Sequence, residues 1–489
     1  MAFASDLLQT ALGMRQAGQF AEAEQLYRRI LEAHPRDFQA LHGLGMLALS
    51  QGHFEMAIQH ITQAIAVGGA PPSFHNNLGE AYRAAQQIPE ARACYEKALQ
   101  LDPAYGPAAF NLGLLEHSCG RLAVAQRAYE LAARLIPELP EVHYYLGTSF
   151  HEQGRWAEAL DCYATSLRLR PDYPEPHFNR SLVFFVQGRF LEGWQEHRWR
   201  SKCKKYPARA FQQPLWNGEP FANRTMLVYA EQGLGDTLQF VRYLPLVRER
   251  GGEVLLEVQA AIVPLLRTSG IQGVMATPAD LPSFDLQVPL HNLPGIFQTT
   301  ADNVPDDVPY LTADPELVAV WRERLSQHGG FKIGVAWQGE KALEYDRSRS
   351  IGLGEFAPLS TAPGVKLFSL QKNAGSEQLT EMADRFTVHD LGADFDESSG
   401  AFMDTAAVMK SLDLVITADT SVAHLAGALG VTTWVALPTP PDWRWLLERE
   451  DSPWYPTVRL FRQSTPGQWT DVFARMTDAL RKWIEARRG

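Results

Sequence analysis

Two short segments carry residue types suited to chemistry, and each follows an apolar run. Gly233-Leu234-Gly235-Asp236 comes after MLVYA (residues 226–230). Asp419-Thr420-Ser421-Val422-Ala423-His424 comes after DLVIT (residues 413–417) and Ala418. Glycines at a strand-to-helix turn let backbone N–H groups approach a ligand. A helix that opens on free N–H groups, with hydroxyls at 420 and 421, suits an anion, and His424 lies one turn inside. Each segment also has a plainer reading. Asp236, Thr420 and Ser421 stand where helix caps stand, and His424 also fits a satisfied core histidine.

These segments need strands to place them. EVLLEV (253–258), GVMAT (273–277) and LQVPL (286–290) follow the first apolar run. A second set comprises KIGVAW (332–337), VKLFSL (365–370), TVHDL (387–391), DLVITA (413–418) and TTWVAL (432–437). Helices separate most of them, which implies parallel sheets covered on both faces. Two such sets predict two Rossmann-like domains, residues 225–315 and 316–489, facing a cleft. Ligands of such sheets sit at the carboxyl ends of the strands. Gln371 and Lys372 follow VKLFSL, and residues 441–445 (PDWRW) follow the last expected strand, where two tryptophans suit either a pocket or packing. The final helix, residues 469–488, fits either domain. Asp394-Phe395-Asp396 has D-x-D spacing but lies in an acidic loop, and no metal is expected there.

The first 200 residues repeat. Copies from Ala4, Phe38, Pro72, Gly106, Pro140 and Pro174 keep a 34-residue spacing. Gly18, Gly52, Gln86, Gly120, Gly154 and Gly188 recur at one place, and Ala23, Ala57, Ala91, Ala125, Ala159 and Gly193 at another. Leu-Gly pairs at 44–45, 78–79, 112–113 and 146–147, and prolines at 35, 103, 137 and 171, complete the pattern. Small residues allow close helix approach, the mid-repeat glycine ends the first helix, and proline ends the second. Tyr27, Tyr95, Tyr129 and Tyr163 are expected to fill gaps between hairpins. The pattern matches the tetratricopeptide family: about six helical hairpins in a solenoid whose concave groove suits a protein segment. Residues 201–224, overlapping a basic stretch at 198–209, are read as a solvated linker.

The 489 residues carry a formal charge of −11, which disfavours nucleic acid. Four cysteines without a C-x-x-C pair suggest neither a zinc site nor a redox pair, and fit a reducing compartment. No run of apolar residues is long enough to span a membrane. A cytoplasmic location is expected, and an oligomer is compatible with the sequence.

Together, G-L-G-D and D-T-S-x-A-H-L-A-G-A-L-G resemble the heptosyltransferase-like glycosyltransferases of family 9 type, over about residues 226–480. Fused to repeats, the chain looks like a group of bacterial repeat-glycosyltransferase proteins. The resemblance implies the two-domain GT-B fold and an inverting, metal-independent transfer of sugar from a nucleotide-sugar, with no further cofactor. It implies a protein acceptor recruited by the repeats, flagellin-like in some relatives. A glycan or lipid-linked acceptor, or a scaffold with a degenerate transferase domain, are the alternatives. Carried over, Asp236 is the general base, a role that suits a buried carboxylate whose pKa rises. Gly233 and Gly235 approach the donor, and Asp419, Thr420, Ser421 and His424 hold the nucleotide. Arg349, with Arg347 as substitute, faces the phosphates, and Gln371 and Lys372 touch the nucleotide.

Overall fold

The computed structural model describes residues 2–68, 71–277, 281–339 and 349–488. The chain forms two compact units, Met1–Pro176 and His177–Gly489.

The first unit is all helix: α1 (Ala2–Gln16), α2 (Phe20–Ala33), α3 (Phe38–Ser50), α4 (Phe54–Gly68), α5 (Pro72–Ala84), α6 (Ile88–Leu101), α7 (Gly106–Ser118), α8 (Leu122–Leu135), α9 (Pro140–His151) and α10 (Trp156–Leu169). Consecutive helices pair into hairpins. The mid-repeat glycines end the first helix of each pair at positive φ, between 72° and 81° for Gly18, Gly52, Gly120 and Gly154. Gln86 takes the same conformation at φ 61° without a glycine's freedom. The Leu-Gly glycines have a different task. A Cβ on Gly79 would lie 2.6 Å from the Tyr95 ring, and on Gly113 2.5 Å from that of Tyr129. Tyr95 and Tyr129 therefore fill the interior of their own hairpin and also meet the next one, at Leu115 and at the Tyr145 ring 5.9 Å away; Tyr27 lies in the gap between hairpins, where a Cβ on Gly43 would meet it at 2.4 Å. In the second repeat Ile61 takes the tyrosine's place, and a Cβ on Gly45 would meet it at 2.5 Å.

The sixth hairpin, α11 (Pro174–Val186) and α12 (Phe190–His197), falls almost wholly in the second unit, so the division lies inside this hairpin rather than after it. A 3₁₀ turn at Arg198–Lys202 follows, then β1 (Thr225–Tyr229), α13 (Leu234–Phe240), α14 (Leu244–Arg248), β2 (Glu253–Val258), α15 (Val263–Thr268), β3 (Val274–Ala276), β4 (Leu286–Pro289), α16 (Leu293–Ile296) and α17 (Pro315–Ser326). The remainder is β5 (Phe331–Ala336), β6 (Val365–Ser369), α18 (Gln378–Met382), β7 (Val388–His389), α19 (Met403–Met409), β8 (Leu414–Ala418), α20 (Ser421–Ala428), β9 (Thr433–Leu437), β10 (Val458–Arg462) and α21 (Thr470–Arg488).

The strands form two parallel sheets, ordered β3-β2-β1-β4 and β10-β9-β8-β5-β6-β7. β10 extends the second sheet beyond the expected strands; Arg459 and Arg462 interrupt the apolar run that betrays the others. The final helix packs on the second sheet, where Val472, Phe473, Met476, Leu480 and Ile484 share a core with Ile333, Val335 and Ile416.

The expected solvated linker, residues 201–224, is mostly exposed but is pinned to the unit at a few points. Arg200 and Cys203 are buried, Arg209 pairs with buried Glu257 at 2.6 Å, and the Trp216 N–H donates to the Gln287 carbonyl of β4 at 2.9 Å. The Glu231 and Glu257 carboxylates draw in Arg200 and Arg209, because a buried carboxylate needs a partner, while Lys202, Lys204 and Lys205 stay exposed.

Candidate functional site

In each sheet the strand order reverses beside a strand that ends in one of the two motifs: β1 lies between β2 and β4, and β8 between β9 and β5. The crevice at such a reversal is where open parallel sheets bind ligands.

After β1 the chain turns through Glu231–Gly233 into α13. The Gly233 N–H donates to Asp236 Oδ2 at 2.9 Å, so Asp236 does cap its own helix. After β8, Thr420 caps α20 by accepting from the Val422 N–H at 3.3 Å. The two helices then meet. A Cβ on Gly235 would lie 2.8 Å from His424 Cδ2 and 3.5 Å from Ser421 Cα. Only glycine permits that approach, and it brings the two motifs into contact.

The other oxygen of Asp236 is taken from the opposite sheet's side. Arg444 Nη2 donates to Asp236 Oδ1, across 208 residues of sequence. The same guanidinium donates to Gln239 Oε1 at 2.6 Å and to Asp442 Oδ1 at 3.0 Å, and its carbon sits 4.5 Å from the Trp443 ring centroid. Burial alone would raise the Asp236 pKa, but the Arg444 charge, helped by His291, outweighs it and holds the carboxyl below the ordinary range. This corrects the expectation of a base poised near neutrality: with its arginine in place, Asp236 is a firmly ionised ion-pair member.

His291, at the carboxyl end of β4, completes the arrangement. It is buried, with Nε2 3.5 Å from Asp236 Oδ1 and Nδ1 3.8 Å from Glu231 Oε2. Arg200, only 1% exposed, donates to Glu231 Oε2 at 2.5 Å. A row of ionisable side chains thus runs Arg200, Glu231, His291, Asp236, Arg444, Asp442.

On the second sheet, burial and the neighbouring Asp442 push Asp419 up to about 6, while the Arg349 charge pulls it down. Arg349 thus lies within electrostatic reach of Asp419, and also of His424. His424 is buried, stacks on Trp445 at 5.7 Å, and shares a 2.9 Å hydrogen bond between Nδ1 and the Tyr455 hydroxyl. Burial, with Arg444 nearby, lowers it to about 3, so it is neutral at physiological pH and brings no charge to a phosphate.

Two expected nucleotide contacts are engaged elsewhere. Gln371 Oε1 accepts from the N–H groups of Trp337 and Gln338, both at 3.0 Å, and its Nε2 donates to the Gln338 and Ala374 carbonyls, so it braces the end of β5. Lys372 is bound to the Phe395 carbonyl and to Glu397 at 2.9 Å. Asp396 accepts from the Thr405 N–H at 3.0 Å and from its hydroxyl. No group of three or more His, Cys, Asp or Glu side chains suited to a metal occurs among the described residues. Arg347 lies outside the described residues. In PDWRW the tryptophans pack: Trp443 lies 4.7 Å from Phe185 and 5.7 Å from Trp194 of the sixth hairpin, and Trp445 lies against His424.

Sequence reasoning missed Arg200, Glu231 and His291 as site residues, and read Arg444 only as the arginine beside two tryptophans in a segment suited to a pocket or to packing. The signal available was position: Glu231 and His291 each lie two residues beyond a strand's carboxyl end, and Arg444 seven beyond that of β9.

Comparison with known proteins agrees with the first half of this picture. Residues 8–73 and 72–105 match the tetratricopeptide repeat family, and residues 147–188 match the TPR repeat family. The chain contains tetratricopeptide repeats, followed by a region of parallel sheets and helices, and no helix among the described residues is long and apolar enough to cross a membrane. Protein FlbA of Caulobacter vibrioides is 28% identical over 318 residues, 59% of this chain and 52% of that protein. The chain therefore spans about half the length of that relative. The probable UDP-N-acetylglucosamine–peptide N-acetylglucosaminyltransferase SPINDLY of Solanum lycopersicum is 29% identical over 102 residues, 21% of this chain and 11% of that protein. Among solved structures, MamA is 22% identical with a TM-score of 0.31, covering 35% of this chain and 92% of that one. The pilF protein of Pseudomonas aeruginosa is 20% identical with a TM-score of 0.38, covering 42% and 93%.

Proposed function

We propose that this chain is an inverting glycosyltransferase of GT-B type, its two sheets belonging to two Rossmann-like domains, which moves a sugar from a nucleotide-sugar to a hydroxyl of a protein held by the repeats. The observation that carries the reading is the contact of Gly235 with His424 and Ser421, which unites two motifs at the carboxyl ends of both sheets. The FlbA similarity, at 318 residues, is longer than the repeat region and so extends into the α/β region. The SPINDLY similarity, at 102 residues, has the length of three repeats, so the weight rests on the site rather than on that name.

The donor's diphosphate sits at the start of α20, against the Thr420 and Ser421 hydroxyls, with the Arg349 charge beside it. Its negative charge competes with Asp236 for Arg444. Released from the ion pair, the largely buried Asp236 carboxylate becomes more basic, because burial then acts on it without the arginine's charge to offset it. It takes the proton of the acceptor hydroxyl as the oxygen attacks the anomeric carbon. The bond from that carbon to the phosphate oxygen breaks on the opposite face, and the nucleoside diphosphate leaves with the electron pair. His424, being neutral, spaces the two helices and adds no charge.

Thermal melting against a panel of nucleoside diphosphates and nucleotide-sugars tests this. A ligand at a hundred times its Kd adds about 2.7 kcal/mol to the native state. One nucleotude class should raise the wild-type melting temperature by several degrees, and less in Arg349→Ala. A panel that leaves the wild type unmoved sinks the reading.

A further inference from the structure

We infer that the sixth hairpin is part of the catalytic unit and that Arg200, just beyond α12, is a positioning residue for the transfer. The inference rests on Asp236 serving as the base proposed above. Its observations are separate: the hairpin groups with the α/β unit, and the guanidinium at its end is 1% exposed and bound to Glu231 at 2.5 Å.

Arg200 acts through two neighbours. Glu231 Oε2 lies 3.8 Å from His291 Nδ1, and His291 Nε2 lies 3.5 Å from Asp236 Oδ1. His291 also stands 6.2 Å from the His197 ring of α12 and 5.0 Å from the Phe240 ring of α13. The titratable and charged groups facing it are therefore Glu231 and Asp236, with His197 beyond; Arg200 neutralises the first carboxylate and Arg444 the second. Without Arg200 the Glu231 carboxylate is uncompensated in a buried setting, and its negative charge, on the far side of His291, favours the protonated form of Asp236. An Asp236 that keeps its proton is lost as a base over the acidic part of the profile. Donor binding involves the α20 segment on the other sheet, so the loss falls on kcat rather than on the donor's KM.

The test uses the full chain and reads kcat, donor KM and the pH profile of transfer. Arg200→Met should lower kcat about tenfold and move the acidic limb of the profile up by about one pH unit, with donor KM unchanged. Arg200→Lys should restore most of kcat. The double variant Arg200→Met with Glu231→Gln should return the limb towards wild type, because the uncompensated carboxylate is gone. Glu231→Gln alone should move the limb down, which keeps the test available if Arg200→Met fails to fold. Equal losses in the single and double variants, with unmoved limbs, make Arg200 merely structural and overturn the inference. Full activity of Arg200→Met beside an inactive Asp236→Asn overturns it while leaving the transferase reading intact. Undiminished transfer by Asp236→Asn removes Asp236 as the base, and this inference with it, while the transferase reading stands.

Discussion

The repeats and the α/β site use the same residue, glycine, for close approach, but they encode it at different ranges. In the solenoid the partner of each Leu-Gly glycine lies 16 residues on, as Tyr95 does from Gly79 and Tyr129 from Gly113, so the contact closes within one hairpin and recurs. In the second unit Gly235 meets His424, and Asp236 meets Arg444 across 208 residues. A periodic region can lose one contact and keep its neighbours. The site has no second copy of any contact, so a single loss there should spread.

The sharpest way to break that contrast is Arg444→Met. It leaves the Asp236 carboxylate, 18% exposed, without its arginine beside buried His291. A loss of about 3 kcal/mol from the α/β unit's denaturant transition is expected, with the repeat unit's transition unmoved; a loss under ~0.5 kcal/mol would mean the pair contributes little.

Next come two matched glycine substitutions. Gly235→Ala drives a methyl to 2.8 Å from His424 Cδ2, and Gly113→Ala drives one to 2.5 Å from the Tyr129 ring. Each should cost about 1–3 kcal/mol. Only Gly235→Ala should also depress nucleotide binding. If Gly113→Ala, measured by the same titration, weakens it equally, the two regions are not independent in the way described.

The pH dependence separates two neighbours on one turn. His424 falls from 6.5 to about 3 on folding, so its neutral form favours the fold above pH 6.5, and that stability is lost as pH falls through about 3. Asp419 rises from 3.8 to about 6, so its contribution is full below 3.8 and is lost as pH rises through about 6. Asp419→Asn should therefore gain melting temperature relative to wild type at pH 8 compared with pH 4, whereas His424→Gln should gain relative to wild type at pH 4. Parallel melting curves for either variant across that range would refute the assigned shift.

The smallest effect lies in the solenoid. Gln86 occupies at φ 61° the place that glycine fills in the other hairpins. Gln86→Gly should stabilise the repeat unit by about 0.5–1 kcal/mol, the left-handed strain relieved exceeding the glycine's entropy cost. A destabilised variant in thermal melting would contradict that balance.

What the sequence made legible follows the same division. The repeats declare themselves because each mark serves a local need, a helix end at positive φ or a contact one helix away, and returns at a fixed spacing. Apolar runs disclose β1, β5 and β8 because those strands are buried on both faces. The two motifs at their ends were readable because glycine and capping residues have local reasons. Arg200, His291 and Arg444 were not, since an arginine or histidine shows nothing of its partner until the chain has folded. Arg200 looked like part of a solvated basic stretch, and only Glu231, 31 residues on, makes it a buried ion-pair member. Gln371 and Lys372 were read from position alone, and their side chains turned to neighbours that position does not disclose.

The central claim is that the ionisable row around Asp236 performs sugar transfer. The most direct measurement is nucleoside diphosphate release from nucleotide-sugars by the full chain supplied with bacterial protein extract, wild type beside Asp236→Asn. Loss of a general base removes about 10²–10⁴ of the rate. The account predicts release and sugar incorporation by wild type and a loss of that order in Asp236→Asn, with nucleotide binding retained. Equal release by both chains would contradict it.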